Sequence, residues 1–117
     1  MKGKSSVLLA EFAILGALYF SKSIKNFLEA AEENIWLKQA PIEPLFDKKV
    51  LIVGLGGIGG EVAKKFHYGF SSNIYGVKNN IKKIPKDLQF VKKVIRKENL
   101  KELIPEMDIV VFSLPKN

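Results

Sequence analysis

The chain contains no cysteine. Disulfides and thiolate metal sites are excluded, and cysteine usage leaves the compartment open. Histidine occurs once, at His67. No nucleophile–base pair, carboxylate pair or metal-ligand cluster stands out, so neither catalytic nor metal-binding residues are assigned, and His67 is expected to be an ordinary helix residue. Internal repeats and low-complexity linkers are lacking. So is an uninterrupted apolar run of the ~20 residues that a membrane span needs. The run at 7–20 follows Lys2 and Lys4 in the manner of a signal peptide, but Glu11 interrupts it and no small-x-small cleavage site follows. These features predict a buried helix and a cytoplasmic protein with no membrane partner.

What is abundant is lysine. The 117 residues carry a formal net charge of +7, and basic side chains crowd between Lys78 and Lys101. They are not interleaved with aromatics, and no nucleic-acid motif accompanies them. A solvated lysine-rich surface is expected, with no nucleic-acid partner. The length suits one small domain.

The most informative stretch is Val50-Leu51-Ile52-Val53-Gly54-Leu55-Gly56-Gly57-Ile58-Gly59-Gly60-Glu61-Val62-Ala63. Continuous Val, Ile and Leu read as a parallel strand buried on both faces. Gly-x-Gly-x-x-Gly follows, and then a helical pattern. The glycines serve different ends. Gly54 permits the tight turn, Gly56 a close backbone approach to a pyrophosphate, and Gly59 close packing of helix on strand. The helix start offers unpaired N–H groups and a positive dipole end to phosphate.

Upstream, Ser5 or Ser6 is placed to cap a first helix. Leu8, Phe12, Leu15 and Tyr19 recur at helical spacing, and Ile24, Leu28, Ala31 and Ile35 continue the pattern. One long helix is predicted, ending between Trp36 and Gln39 because Pro41 and Pro44 forbid continuation. Its first half is apolar nearly all round, which predicts burial on several sides or an interface. A connector covers 41–48. Strands are predicted at 49–53, 74–77, within 90–95 and within 107–114. Helices are predicted at 58–68, with Gly69 as the stop, and at 100–104, capped by Asn99. The alternation implies a partial Rossmann-like α/β fold: a leading helix over 1–40, then a parallel half-unit over 48–117, together one truncated domain of 1–117. The right-handed crossover rule sets the spatial strand order 3-2-1-4.

Taken together, the chain resembles the NAD(P)-binding domain of the D-isomer-specific 2-hydroxyacid dehydrogenases. The residues that carry the resemblance are Ala10-Glu11 on the leading helix, Trp36 near its end, the strand and glycines from Val50 to Gly59, and Gly69. Leu100 and its short helix, Asp108, the strand at 109–112 and Leu114-Pro115 complete it. The resemblance implies that the backbone at Gly54, Gly56, Gly57, Ile58 and Gly59 binds the dinucleotide pyrophosphate, and that Ser113, Leu114 and Pro115 lie beside the cofactor. It also implies a dimer interface on the first helix, so a homo-oligomer, or a complementary chain that supplies the missing half, is expected.

Two departures stand out. An acid about 20 residues past the glycines normally holds the ribose hydroxyls of NAD. Here Val77-Lys78-Asn79-Asn80 holds none. Lys78 is placed to meet a 2′-phosphate, with Lys82 and Lys83 adding positive charge nearby, which favours NADP. The family's catalytic Arg, Glu and His lie beyond the Leu-Pro pair, so the expectation is a dinucleotide-binding unit that is not catalytic alone. Two other readings stay open at this stage: a non-catalytic nucleotide-binding or interaction module, and an ATP-binding adenylating-type fold. The adenylating type needs acidic, Asn, Arg and Gln groups that are not found at the expected places. A channel-regulatory nucleotide domain matches the loop but leaves the leading helix unexplained.

Overall fold

The computed structural model describes residues 2–33 and 42–113. Four parallel strands form one sheet: β1 (Lys49–Val53), β2 (Asn73–Val77), β3 (Lys93–Ile95) and β4 (Ile109–Phe112), in spatial order β3-β2-β1-β4. Order and direction are those expected from the sequence. In register, Val50 stands beside Ile74 on one side and Ile109 on the other.

β1 explains itself. Side chains alternate across a strand, and both faces of β1 are covered. Val50 and Ile52 join Val62, Ala63 and Phe66 in one core, and Leu51 and Val53 join Val77, Ile95 and Leu103 in a second. An unbroken apolar run is what a strand buried on both faces requires. Each buried residue of this size contributes about 1.5–3 kcal/mol.

The first core is roofed by α3 (Gly57–Lys64) and by one side of α1 (Lys2–Ser21). α4 (Leu100–Leu103) is a single turn flanked by 3-10 turns, and it closes the second core through Leu103. Asn99 stands at its N-cap position, but its side chain makes no capping bond.

The leading segment departs most from expectation. α1 begins at Lys2, so Ser5 and Ser6 lie inside it instead of capping it. It is not one long helix: Ser23 adopts a left-handed conformation (φ 54°), and α2 (Ile24–Glu32) leaves at 63° to α1. The expected helix end at Trp36, and Ile35 with it, lie outside the described residues.

Burial of α1 is also one-sided. Ala10 is fully buried, and Ala13, Ile14, Ala17 and Leu18 pack on the core. Leu8, Phe12 and Leu15, three of the residues whose spacing predicted the helix, are 55–60% exposed. Ala10, Ala13 and Ala17 bring α1 close to its neighbours, Ile14 and Leu18 pack beside them, and Leu8, Phe12 and Leu15 are turned outward. No single helix among the described residues is long and apolar enough to cross a membrane; α1 and α2 reach the length and composition only as a bent pair.

After α3 the chain widens into one π-type turn, Lys65–Gly69. The left-handed residue that ends this helix is Ser71 (φ 53°) and not Gly69, whose φ is not positive.

Candidate functional site

The glycine turn joins β1 to α3. Gly54 takes a φ of 104°, which L side chains rarely adopt, and its N–H donates to the Val77 carbonyl at 3.1 Å. Gly59 is required by packing. A Cβ there would run into the Gly54 carbonyl oxygen, with the carbonyl carbon at 2.9 Å and Ile52 Cγ2 at 3.1 Å. Backbone has no rotamer with which to yield, so α3 can sit this close to β1 only with glycine at that position.

Gly56 differs. A Cβ there would meet nothing within 4 Å, and its φ of −85° suits any residue. Nothing among the described residues demands glycine at 56, and the space beside it is open. The first backbone bond of α3 at this end runs from the Gly60 N–H to the Gly56 carbonyl at 2.7 Å. The N–H groups of Gly57, Ile58 and Gly59 precede it and have no helical acceptor. Gly56, as the N-cap, offers no side chain to satisfy them. These donors sit at the positive end of the helix dipole.

Beside this turn lies a cleft of ≈ 530 Å³ across the carboxyl ends of the strands. Its walls are Val53, Gly54, Leu55, Gly56 and Phe112 on the β1–β4 side, and Val77, Lys78, Asn79, Asn80, Lys83, Lys97 and Leu100 on the β2–β3 side. Lys78 directly follows β2, and its N–H donates to the Ile95 carbonyl at 3.0 Å, which ties the ends of β2 and β3 together. The lining holds no carboxylate among the described residues. Leu55 is buried and packs over Gly76, where an added Cβ would run into the Leu55 side chain. Gly76 therefore lets Leu55 form the floor, a role not evident from the sequence.

The structure thus brings Gly54, Gly56, Lys78 and Asn79 into one cleft. Gly57, Ile58 and Gly59 stand next to it in the first turn of α3. Ser113 lies at the same end of the sheet, where its N–H donates to the Val53 carbonyl at 2.8 Å, but it is not among the lining residues. Leu114 and Pro115 lie outside the described residues. Sequence reasoning missed Lys97, Leu100 and Phe112 as cleft residues. The available signal was the rule that ligands bind beyond the carboxyl ends of parallel strands. Of the adjacent pair Lys82 and Lys83, only Lys83 reaches the wall.

His67 is remote from the cleft. Its ring stacks on Phe90 at 4.1 Å, with Tyr68 edge-on to both. Asp108 lies at the opposite end of the sheet, where its Oδ2 accepts the Lys49 N–H at 2.8 Å. Away from the cleft, Lys64 pairs with Asp87 at 2.6 Å and with Glu61 at 3.5 Å. The hydrogen bond from Lys64 holds the Asp87 carboxyl below its ordinary value, and the bond to Asp87 raises the Lys64 ammonium above its own.

A parallel sheet of this order, whose first strand turns through such glycines into a closely packed helix, is a Rossmann-like nucleotide-binding unit. The model of the D-isomer specific 2-hydroxyacid dehydrogenase NAD binding domain matches residues 14–117, and the chain belongs to that family. This membership replaces the adenylating-type and channel-regulatory readings. Among curated sequences, none matches the chain significantly.

Solved structures agree on the fold. A D-isomer specific 2-hydroxyacid dehydrogenase family protein from Aeromonas salmonicida subsp. salmonicida A449 superposes with a TM-score of 0.80 at 21% identity, over 94% of this chain and 34% of its own. A glycerate dehydrogenase related protein from Thermoplasma acidophilum gives 0.79 at 24% identity, over 98% and 38%. A D-isomer specific 2-hydroxyacid dehydrogenase from Xanthobacter autotrophicus Py2, in complex with NADPH and MES, gives 0.74 at 25% identity, over 96% and 44%. The chain thus spans 34–44% of the length of these relatives.

Proposed function

We propose that this chain binds the adenosine and pyrophosphate portion of NAD or NADP, as the dinucleotide-binding part of a 2-hydroxyacid dehydrogenase. The observation that carries the reading is the contrast inside the glycine motif. Gly59 is glycine because the protein fills its space, and Gly56 is glycine beside space that the protein leaves open. Pyrophosphate fits that opening. It would take the N–H groups of Gly57, Ile58 and Gly59 and the positive end of α3. Ser113, Leu114 and Pro115 remain proposed contacts on the β4 side.

The residues fit the group in other respects. Val77 and Leu100 give the cleft an apolar wall suited to an adenine face, while Asn79 and the lysines give it polar edges. The nicotinamide, when bound, supplies hydride transfer to or from a 2-hydroxy or 2-keto acid. The cleft residues bind and orient. Glycines, amides, lysines and apolar groups line it, with no acid–base pair among the described residues to move the substrate's proton. The chain alone is therefore proposed to bind without turnover, as one dinucleotide-binding domain.

Titration with NADH and NADPH, followed by nicotinamide fluorescence, tests the binding. A saturable change is expected. A linear response with both nucleotides up to millimolar concentration would contradict it. An absorbance assay with glyoxylate or pyruvate should show no turnover; robust turnover would reveal acid–base groups that this account lacks.

A second copy of the chain is the proposed partner, received on the outward face of α1. Leu8, Phe12 and Leu15 are 55–60% exposed there, an apolar surface of the kind that marks interaction sites. Light scattering should report a dimer, and a stable monomer would remove this claim.

A further inference from the structure

The segment that joins β2 to β3 supplies part of the cleft wall, yet hydrogen bonds hold it to the protein only at its two ends. The Lys78 N–H donates to the Ile95 carbonyl at 3.0 Å, and the Lys92 N–H donates to the Ile74 carbonyl at 2.8 Å. Between them, at 79–91, every hydrogen bond among the described residues closes within the segment. The Lys82 and Lys83 N–H groups donate to Asn80, that of Leu88 to Pro85 and that of Val91 to Leu88. The Gln89 side chain donates to the Ile84 and Pro85 carbonyls. Side chains alone dock this segment. Leu88 is buried against Gly60, and Ile84, Phe90 and Val91 pack on the first core. Asp87 pairs with Lys64 at 2.6 Å. Phe90 stacks on the His67 ring at 4.1 Å, with the two planes 3° apart. Gly60, Lys64 and His67 are spaced by four and then three residues, so α3 and the turn that prolongs it present them on one face.

We infer that His67 and Phe90, assisted by Lys64 and Asp87, are positioning residues for the cleft: they hold in place the wall to which Asn79, Asn80 and Lys83 belong. The inference rests on the dinucleotide reading above and deepens it, by making nucleotide affinity depend on the docking of 79–91. α3 then serves both walls. Its first turn presents the glycine side, and its face at 60, 64 and 67 carries the segment opposite. Only 84–87 lie between Lys83 on the wall and the buried Leu88. The Gln89 bonds to Ile84 and Pro85 stiffen that span, so a loss of docking reaches the wall. None of His67, Phe90, Lys64 and Asp87 lines the cleft. Their effect on a nucleotide therefore passes through the position of the segment and not through contact. A ring pair is worth about two- to tenfold in an equilibrium beyond the area it buries, and an ion pair with exposed partners adds less.

Hydrogen exchange of the full chain, read by mass spectrometry, and titration with NADH and NADPH test this together. Local exchange follows the population of the locally open state. His67→Ala should therefore speed exchange at 79–91 about two- to tenfold, while β1 keeps its wild-type rate. His67→Phe keeps a ring against Phe90 and should behave as the wild type. Combining His67→Ala with Lys64→Ala leaves apolar packing as the only tie. Both nucleotides should then bind several-fold more weakly, because apparent affinity falls with the docked fraction. In the wild type, saturating NADPH should slow exchange at 84–91, residues that do not line the cleft. Wild-type exchange at 79–91 in His67→Ala would overturn the positioning role and leave the glycine-turn reading standing. So would unchanged affinity in the double variant, or exchange at 84–91 that bound NADPH leaves unaltered. A wild-type chain that binds neither nucleotide would overturn the dinucleotide reading and the positioning role with it.

Discussion

Where the strands begin, side chains and backbone satisfy one another. Asp108 accepts the Lys49 N–H at 2.8 Å. Asn73 donates to both the carbonyl and the carboxylate of Asp47 at 2.9 Å. The buried Ser72 hydroxyl donates to the Leu45 carbonyl at 2.7 Å, and Lys48 pairs with Glu43 at 3.0 Å. Where the strands finish, helix N–H groups stand uncapped and lysines share a cleft without a carboxylate. Both ends are polar, and only one is self-sufficient. The uncapped N–H groups lie at the positive end of the α3 dipole, beside lysines that no carboxylate in the cleft neutralises, so this end is the one suited to an anionic ligand.

This contrast can be broken most severely at Gly59. Gly59→Ala drives a methyl group into the Gly54 carbonyl, and separating α3 from β1 should cost about 3 kcal/mol, at the upper end of typical overpacking penalties. Urea unfolding should show a large fall in midpoint; a wild-type midpoint would mean that α3 is not held as described. A smaller effect is expected at the opposite end. Ser72→Ala removes a buried donor and leaves the Leu45 carbonyl with only the longer bond from the Lys48 N–H at 3.3 Å, a loss of about 1 kcal/mol. It should destabilise without changing nucleotide affinity, and weaker binding would join the two ends that the structure keeps apart.

The smallest effect belongs to the pair between Lys64 and Asp87. The Asp87 carboxyl lies below its ordinary value, so its contribution is present above that value and is lost as pH falls through the folded one. Lys64 is raised, so its contribution is present below the ordinary lysine value and is lost as pH rises through the folded one. Between those limits Asp87→Asn should unfold at slightly lower urea than the wild type, and the two curves should meet in acid. A gap that persists after carboxylates are protonated would assign the effect to something other than this ion pair.

Sequence reasoning succeeded where the physics is local. β1 and the glycine turn follow from an apolar run and from steric needs that only glycine meets, and strand order follows from the hand of the crossovers. It failed where the answer depended on partners distant in the chain. The break at Ser23 carries no proline or glycine to announce it. α1 is apolar nearly all round, so its pattern could not tell the alanine side that packs inward from the leucine and phenylalanine side that faces out. Lys97 became a cleft residue only once β3 was seen to end at Ile95 beside Lys78. Lys82 and Lys83 are neighbours in sequence, and one turn at Asn80 separates their surroundings.

Gly56→Val provides the most direct measurement of the central claim, because it separates folding from binding. Apart from its chain neighbours, no described residue lies within 4 Å of the position a Cβ would take, so the variant should unfold close to the wild-type temperature. Its branched side chain would occupy the opening assigned to the pyrophosphate. Calorimetric titration with NADP should therefore give affinity at least about tenfold weaker, as charge-assisted hydrogen bonds are lost. Equal affinity in two equally stable proteins would show that the dinucleotide does not use this turn.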